Sequence, residues 1–203
     1  MQVLTHPVQP AYQPAKGKRY AMTRIPLPAT VDTAPARSKP LLQEINRAMG
    51  SVPNLFRIAS NSPAALQGYL GLTGALAKGT LHPATRERIA LAVAQANGCG
   101  YCVAAHSYLG RNRAKLDADE ILANRRGQSL NSKADVAVQF AVKLVDERGQ
   151  VQDADVRALR HAGYTNSDIV EIIAHVALNT LTNYLNEALG TPIDFPVVGA
   201  DAA

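Results

Sequence analysis

Leu41, Leu42, Ile45, Ala48 and Met49 recur at three- and four-residue steps, which places them on one stripe of a helix, and the run stops at Gly50. The same rule predicts helices along the rest of the chain. Residues 54–60 give a short one. Ser62-Pro63 is a cap followed by a first-turn proline, and it opens a helix carrying Leu66, Tyr69, Leu70, Thr73 and Leu76 as far as Gly79. His82-Pro83 opens the next, whose apolar positions Ile89, Leu91, Val93, Ala94 and Ala96 are crowded enough to predict burial. Asn97-Gly98 stops it, and a helix over 99–112 follows. A short polar helix is predicted over 117–125, and an amphipathic one with Val136, Phe140, Val142, Leu144 and Val145 over 132–147. Another spans 153–161, with Asp153 as its cap. Thr165-Asn166-Ser167 caps a long helix over 168–189, stopped by Gly190 and Pro192. No period-two alternation bounded by turns survives, so the expected fold class is all-α, a bundle of eight to nine helices.

Residues 1–39 break the pattern. They hold six of the twelve prolines and no helical period, which predicts an extended arm ahead of a helical domain over 40–203. The arm also holds Lys16, Lys18, Arg19, Arg24, Arg37 and Lys39 against one acid, Asp32. The whole formal charge of +5 therefore sits in the arm, while the remainder balances fifteen bases with fifteen acids. A basic arm can touch acidic partners, but the aromatic interleaving of a single-strand binding surface is missing. The expectation is a solvated or oligomer-wrapping segment rather than a nucleic-acid contact.

Composition supports closely packed helices in one domain: 203 residues, 47% hydrophobic, 5% aromatic and no Trp, with Ala, Leu, Ile and Val carrying the apolar content. Residues 1–14 lack a charged start followed by an apolar run, and no apolar stretch reaches the ~18 residues of a membrane span. A cytoplasmic, reducing setting with no membrane partner is the resulting expectation. There, a close cysteine pair is catalytic or metal-binding more often than structural.

That pair is Cys99 and Cys102, the only two cysteines in the chain. A helix starting near Cys99 puts Cys99, Cys102 and His106 on one face, three and four residues apart. His106 then stands one turn from Cys102, near enough to take a thiol proton. The helix N-terminus adds partial positive charge and free N–H groups that favour a thiolate. Glu87 lies on the preceding helix, and pairing of the two helices across Asn97-Gly98 would carry it back into a proton relay. A thiolate can attack a peroxide oxygen to give a sulfenic acid, which a second thiol in reach converts to a disulfide. A structural disulfide and two inert core cysteines are weaker readings. A zinc site built from Cys99, Cys102 and His106 and completed by His82 or Glu87 is the better rival, although no second Cys/His pair stands at the usual spacing.

The pattern Glu87-x11-Cys99-x2-Cys102-x3-His106 on a helical hairpin resembles the AhpD-like alkyl hydroperoxidases of the carboxymuconolactone decarboxylase family. The resemblance covers about residues 51–194, from Pro53-Asn54-Leu55-Phe56 through Asn179-x3-Asn183 to Gly190-x-Pro192, and leaves the arm outside. It implies an all-helical fold, homo-oligomers (trimers or hexamers) and reduction of alkyl hydroperoxides through the Cys pair, with no cofactor and no resident metal. It also implies that Cys102 is the peroxidatic thiol, Cys99 the more exposed resolving thiol, and His106 with Glu87 the proton relay. A thiol or a lipoyl-carrying protein would be the reductant. Members that decarboxylate muconolactones lack the Cys pair, so this chain looks like the peroxidase branch. The family's peroxidases carry a second histidine between the cysteines, where this chain has Tyr101, so the relay is expected to differ.

Physical chemistry alone divides the two thiols differently, because a helix N-terminus should lower the pKa of Cys99 most. The His106 spacing favours Cys102, and a general base must lie beside the attacker, which decides for Cys102. A redox- or zinc-responsive interaction protein, or a decarboxylase-type enzyme using His106 and Glu87, are the alternatives. His175, Asn179 and Asn183 form a polar stripe on the last helix, read as helix packing or a subunit contact. Tyr101 and Tyr108 read as core or pocket wall. Glu171-Ile172-Ile173-Ala174 echoes Glu87-Arg88-Ile89-Ala90, a faint hint of a duplicated hairpin.

Overall fold

A computed structural model describes residues 23–196. Among them nine α-helices and one 3-10 turn form, with no strand. The helices are α1 (Lys39–Met49), α2 (Asn54–Ala59), α3 (Pro63–Leu76), α4 (Pro83–Ala96), α5 (Gly100–Asn112), α6 (Ala118–Arg125), α7 (Ser132–Asp146), α8 (Asp153–His161) and α9 (Asn166–Leu189). The all-α expectation and the helix order hold. Among the described residues, no helix is long and apolar enough to cross a membrane.

The crowded apolar run of α4 makes it the central helix. Ile89, Ala90, Leu91, Ala92, Val93 and Ala94 are each at most 3% exposed, because α4 packs on α5, α6, α7 and α9 around its circumference. The main core joins Ile89 and Val93 to Phe140, Ala141 and Leu144 of α7 and to Ile169, Ile172 and Val176 of α9. Gly98, at φ +67, supplies the left-handed turn that sends α5 back along α4. Asp153, expected as a cap, is instead the first residue of α8. Gln152 holds the cap position, and its N–H is received by Asp155 Oδ2 at 2.7 Å.

Two segments outside the bundle close it. Residues 1–22 of the expected arm lie outside the described residues. The rest of the arm is docked on the body rather than held in solvent. Arg57 Nε donates to Pro28 O at 2.7 Å and Asn61 Nδ2 to Pro26 O at 2.8 Å. The Arg24 guanidinium donates to the carbonyls of Glu187 and Ala188 at 3.1 and 2.6 Å, satisfying groups that the C-terminal end of α9 leaves open. Ala34 joins Leu42, Ile45, Ala59 and Leu66 in a second core, and residues 36–38 form the 3-10 turn. After Gly190, the chain turns back across the start of α5. Asn54 donates from Nδ2 to Pro192 O at 3.0 Å and from its backbone to Asp194 Oδ2 at 2.7 Å.

Candidate active site

The hairpin of α4 and α5 assembles the four residues that the spacing singled out. Cys99 stands at the N-cap of α5 and its Sγ accepts the N–H of Cys102 at 3.2 Å. Cys102 and His106 follow at one-turn steps on α5. Glu87, on α4, reaches His106 across the pair, with Oε2 2.9 Å from Nδ1. Both cysteines are free thiols.

The more exposed position implied for Cys99 is not found. Cys99 is 0% and Cys102 3% exposed, packed with Ala94, Tyr101 and Ala105 under Leu55 and Phe195. The cause is the returning C-terminal segment. Tyr101 donates its hydroxyl to Asp194 Oδ1 at 2.8 Å and accepts the N–H of Leu55 at 3.1 Å. Phe195 meets the Tyr101 ring edge-on at 5.8 Å. Burial pushes the Tyr101 hydroxyl well above its usual range, so the residue standing where the family's second histidine would be holds a strap in place and trades no proton near neutral pH. Tyr108, by contrast, is exposed.

Electrostatics separate the two thiols. The Cys99 thiol, donating to the Cys102 sulfur, lowers the Cys102 pKa below its ordinary value against the cost of burial; Asn186, the His106 charge and Asn183 add to the same effect. Cys99 is pushed up, first by that hydrogen bond to Cys102 and then by burial. These shifts favour ionisation at Cys102 over Cys99, although Cys99 holds the N-cap. A helix terminus offers one N–H to Cys99, whereas Cys102 collects several donors and a cation. His106 carries opposing influences. Burial disfavours its charge, but the Glu87 carboxylate, the hydrogen bond to it and the Cys102 sulfur together raise its pKa. The side chains of His106 and Glu87 are 22% and 24% exposed, so this edge of the site meets water while the sulfurs do not.

One participant escaped the sequence pattern. Asn186, on α9, donates from Nδ2 to Cys102 Sγ at 3.3 Å. It extends the polar stripe of His175, Asn179 and Asn183 by one further helical step, and that spacing is the signal that could have found it. The stripe is interior to this chain, every member being at most 7% exposed. Asn97 Nδ2, on the α4–α5 turn, donates to Asn183 Oδ1 at 2.9 Å and fixes α9 to the hairpin. His175 is held neutral, its pKa driven down to about 4 by burial and by Arg86.

Other candidates are not brought in. His82 caps α4, its Nδ1 accepting the Ala84 N–H at 3.2 Å, about 20 Å of helix away from the cysteines. Glu171 accepts the N–H groups of Thr80 and Leu81 at 2.9 and 3.1 Å, which gives the echo of Glu87 a structural duty. Among the described residues, no group of three or more His, Cys, Asp or Glu is placed to hold a metal ion. A cleft of about 490 Å³ opens beside His82, Arg88, Lys133 and Asp168, but Arg88 pairs with Glu120, Lys133 donates to the Gly163 carbonyl, Asp168 accepts the Thr165 N–H, and no thiol lines it.

Fold and site together define an all-helical protein built on a central hairpin that holds a buried dithiol beside a carboxylate–imidazole pair. Residues 63–147 match the model of the carboxymuconolactone decarboxylase family, and the chain is similar to its AhpD-like proteins. Solved structures share the fold. An alkylhydroperoxidase AhpD core, a peroxidase-related protein from Ralstonia eutropha, is 29% identical with a TM-score of 0.75, over 85% of this chain and 92% of that one. A peroxidase-related protein from Silicibacter sp. shares the fold at 24% identity and a TM-score of 0.73, over 84% and 91% of the two chains. The debrominase Bmp8, as a cysteine-to-alanine variant with 2,3,4-tribromopyrrole, shares the fold at 19% identity and a TM-score of 0.66, over 85% and 94%. No curated protein matches the chain in sequence. Family and neighbours point to an enzyme of the AhpD or carboxymuconolactone decarboxylase type.

Proposed function

We propose that this protein is a thiol-dependent peroxidase that reduces alkyl hydroperoxides through Cys102 and Cys99, with His106 and Glu87 relaying protons. The observation that supports the reading is geometric: Cys102 stands one helical turn from His106, whose Nδ1 lies 2.9 Å from Glu87 Oε2, and its sulfur accepts the Asn186 amide at 3.3 Å. The Cys102 thiolate attacks the terminal oxygen of the hydroperoxide. An S–O bond forms, the O–O bond breaks, and the departing alkoxide takes the proton that His106 carries. The product is a sulfenic acid at Cys102 and an alcohol. Cys99 then attacks the sulfenic sulfur, forming the disulfide and releasing water. Because His106 and Glu87 face water, the spent proton is replaced from solvent without opening the buried sulfurs.

The same reading includes a cytoplasmic setting that keeps the pair reduced and a dithiol or lipoyl-type reductant. It includes self-association as well. Val170, Ile173, Leu181 and Tyr184 are 65%, 44%, 49% and 61% exposed, and their spacing puts them on one stripe of α9, apolar area of the kind that a further copy covers.

The test uses fully reduced protein freed of reductant and one equivalent of cumene hydroperoxide. Wild type should lose two thiols per peroxide. Cys99→Ser should stop at a sulfenic acid, and Cys102→Ser should be inert. Peroxide that persists while both thiols stay titratable rules the reading out and moves the decarboxylase-type alternative, which needs only His106 and Glu87, ahead.

A further inference from the structure

Buried polar atoms are normally paired. Yet Nδ2 of Asn183 and Oδ1 of Asn186 are buried without a hydrogen-bond partner, on residues exposed by 0% and 2%. Both belong to side chains that are otherwise fixed. Asn183 Oδ1 is held by Asn97 Nδ2 at 2.9 Å, and Asn186 Nδ2 points at Cys102 Sγ at 3.3 Å. Packing α9 on the hairpin accounts for the Asn97 contact but not for two orphaned amide atoms near a reactive sulfur.

We propose that Asn186 and Asn183 form a carboxamide cradle for the reacting group: Asn186 N–H holds the Cys102 sulfur before attack, Asn183 N–H receives the oxygen that the sulfur gains, and Asn186 Oδ1 accepts the hydrogen of the incoming O–OH group. This rests on the peroxidase reading and names the feature of the substrate that the site recognises, a free hydroperoxyl group rather than its alkyl tail. The cradle changes no atom or electron balance. Sulfur gains the terminal oxygen with its hydrogen and is oxidised, the O–O bond is reduced, and the alkoxide leaves with the His106 proton. Asn186 touches the reacting sulfur and is a catalytic residue in this scheme.

The experiment compares reduced full-length wild type with Asn186→Leu, which keeps shape and removes donor and acceptor. The pH midpoint of Cys102 alkylation by iodoacetamide, located by mass spectrometry, is read beside the rate with cumene hydroperoxide. The variant should raise the midpoint by about one unit and slow peroxide reduction about tenfold or more, the loss of one hydrogen bond to a charged group. Midpoint and rate within twofold of wild type overturn the cradle. In wild type, independently of any variant's folding, the Asn186 side-chain amide resonances should move with Cys102 ionisation and again on sulfenic acid formation; resonances flat through both overturn it too. An unmoved midpoint in a protein that consumes peroxide removes the cradle alone. A moved midpoint in a protein that consumes none removes the peroxidase reading and leaves the thiolate-holding part standing.

Discussion

Glu87→Gln isolates the charge in the relay. The substitution keeps side-chain size and a hydrogen-bond partner for His106, and removes one negative charge 2.9 Å from Nδ1. With both side chains about three-quarters covered, the pair is screened less than a surface pair. A hydrogen bond to a charged group contributes about 1.5–3 kcal/mol against about 0.5–1.5 for a neutral one, a difference on the order of 1.4 kcal/mol, or about one pKa unit. In the native site, burial opposes the imidazolium, and Glu87, with help from the Cys102 sulfur, more than compensates, so His106 titrates above its ordinary value. Without the carboxylate the balance moves towards burial, and the imidazolium fraction falls across the neutral range. Peroxide reduction at pH 7 should therefore fall about tenfold, with the alkaline limb of the rate profile moving down by about one unit. The stability effect has a definite sign. A raised folded-state pKa adds stability that is complete below the unfolded value of ~6.5 and is lost as pH rises through the folded one. Glu87→Gln should thus cost about 1 kcal/mol more at pH 6 than at pH 9. Peroxide consumption across pH 5–10, the His106 ring resonances and urea unfolding at the two pH values measure all three. An equal loss of rate at every pH, with an unmoved His106 titration, would refute the relay and leave Glu87 a packing residue.

Two further substitutions probe the surroundings of the site. Tyr101→Phe leaves Asp194 Oδ1 and the Leu55 N–H without their partner, so it should cost about 1–3 kcal/mol in thermal unfolding. It should also quicken reaction of the native thiols with an aromatic disulfide reagent as residues 191–196 loosen; an unchanged thiol rate would show that the strap does not govern access. Leu181→Lys places a charge in the exposed stripe of α9. Light scattering should report a smaller assembly than wild type, and equal masses for the two would remove that stripe from the interface.

The helices, their order and three of the four candidate site residues were legible in the sequence because they depend on local spacing. Apolar residues three and four apart place α1 to α9, and Cys99, Cys102 and His106 share a face of α5 by the same periodicity. Glu87 was the limiting case: its approach needed only the neighbouring helix and the Gly98 turn, so a hairpin argument reached it. What lies farther along the chain was not legible. Asn186 stands 84 residues beyond Cys102 and Asp194 93 beyond Tyr101, and no periodicity connects such positions. How deeply the thiols lie depends on where residues 191–196 cross α5, and there both are buried, against the exposed position expected of Cys99. The arm looked free because its prolines exclude a helix, yet proline leaves carbonyls to accept, and Arg57 and Asn61 take them. Local propensity settles which segments become helices; burial and charge at a sulfur are sums over everything packed around it, so only the tertiary structure decides them.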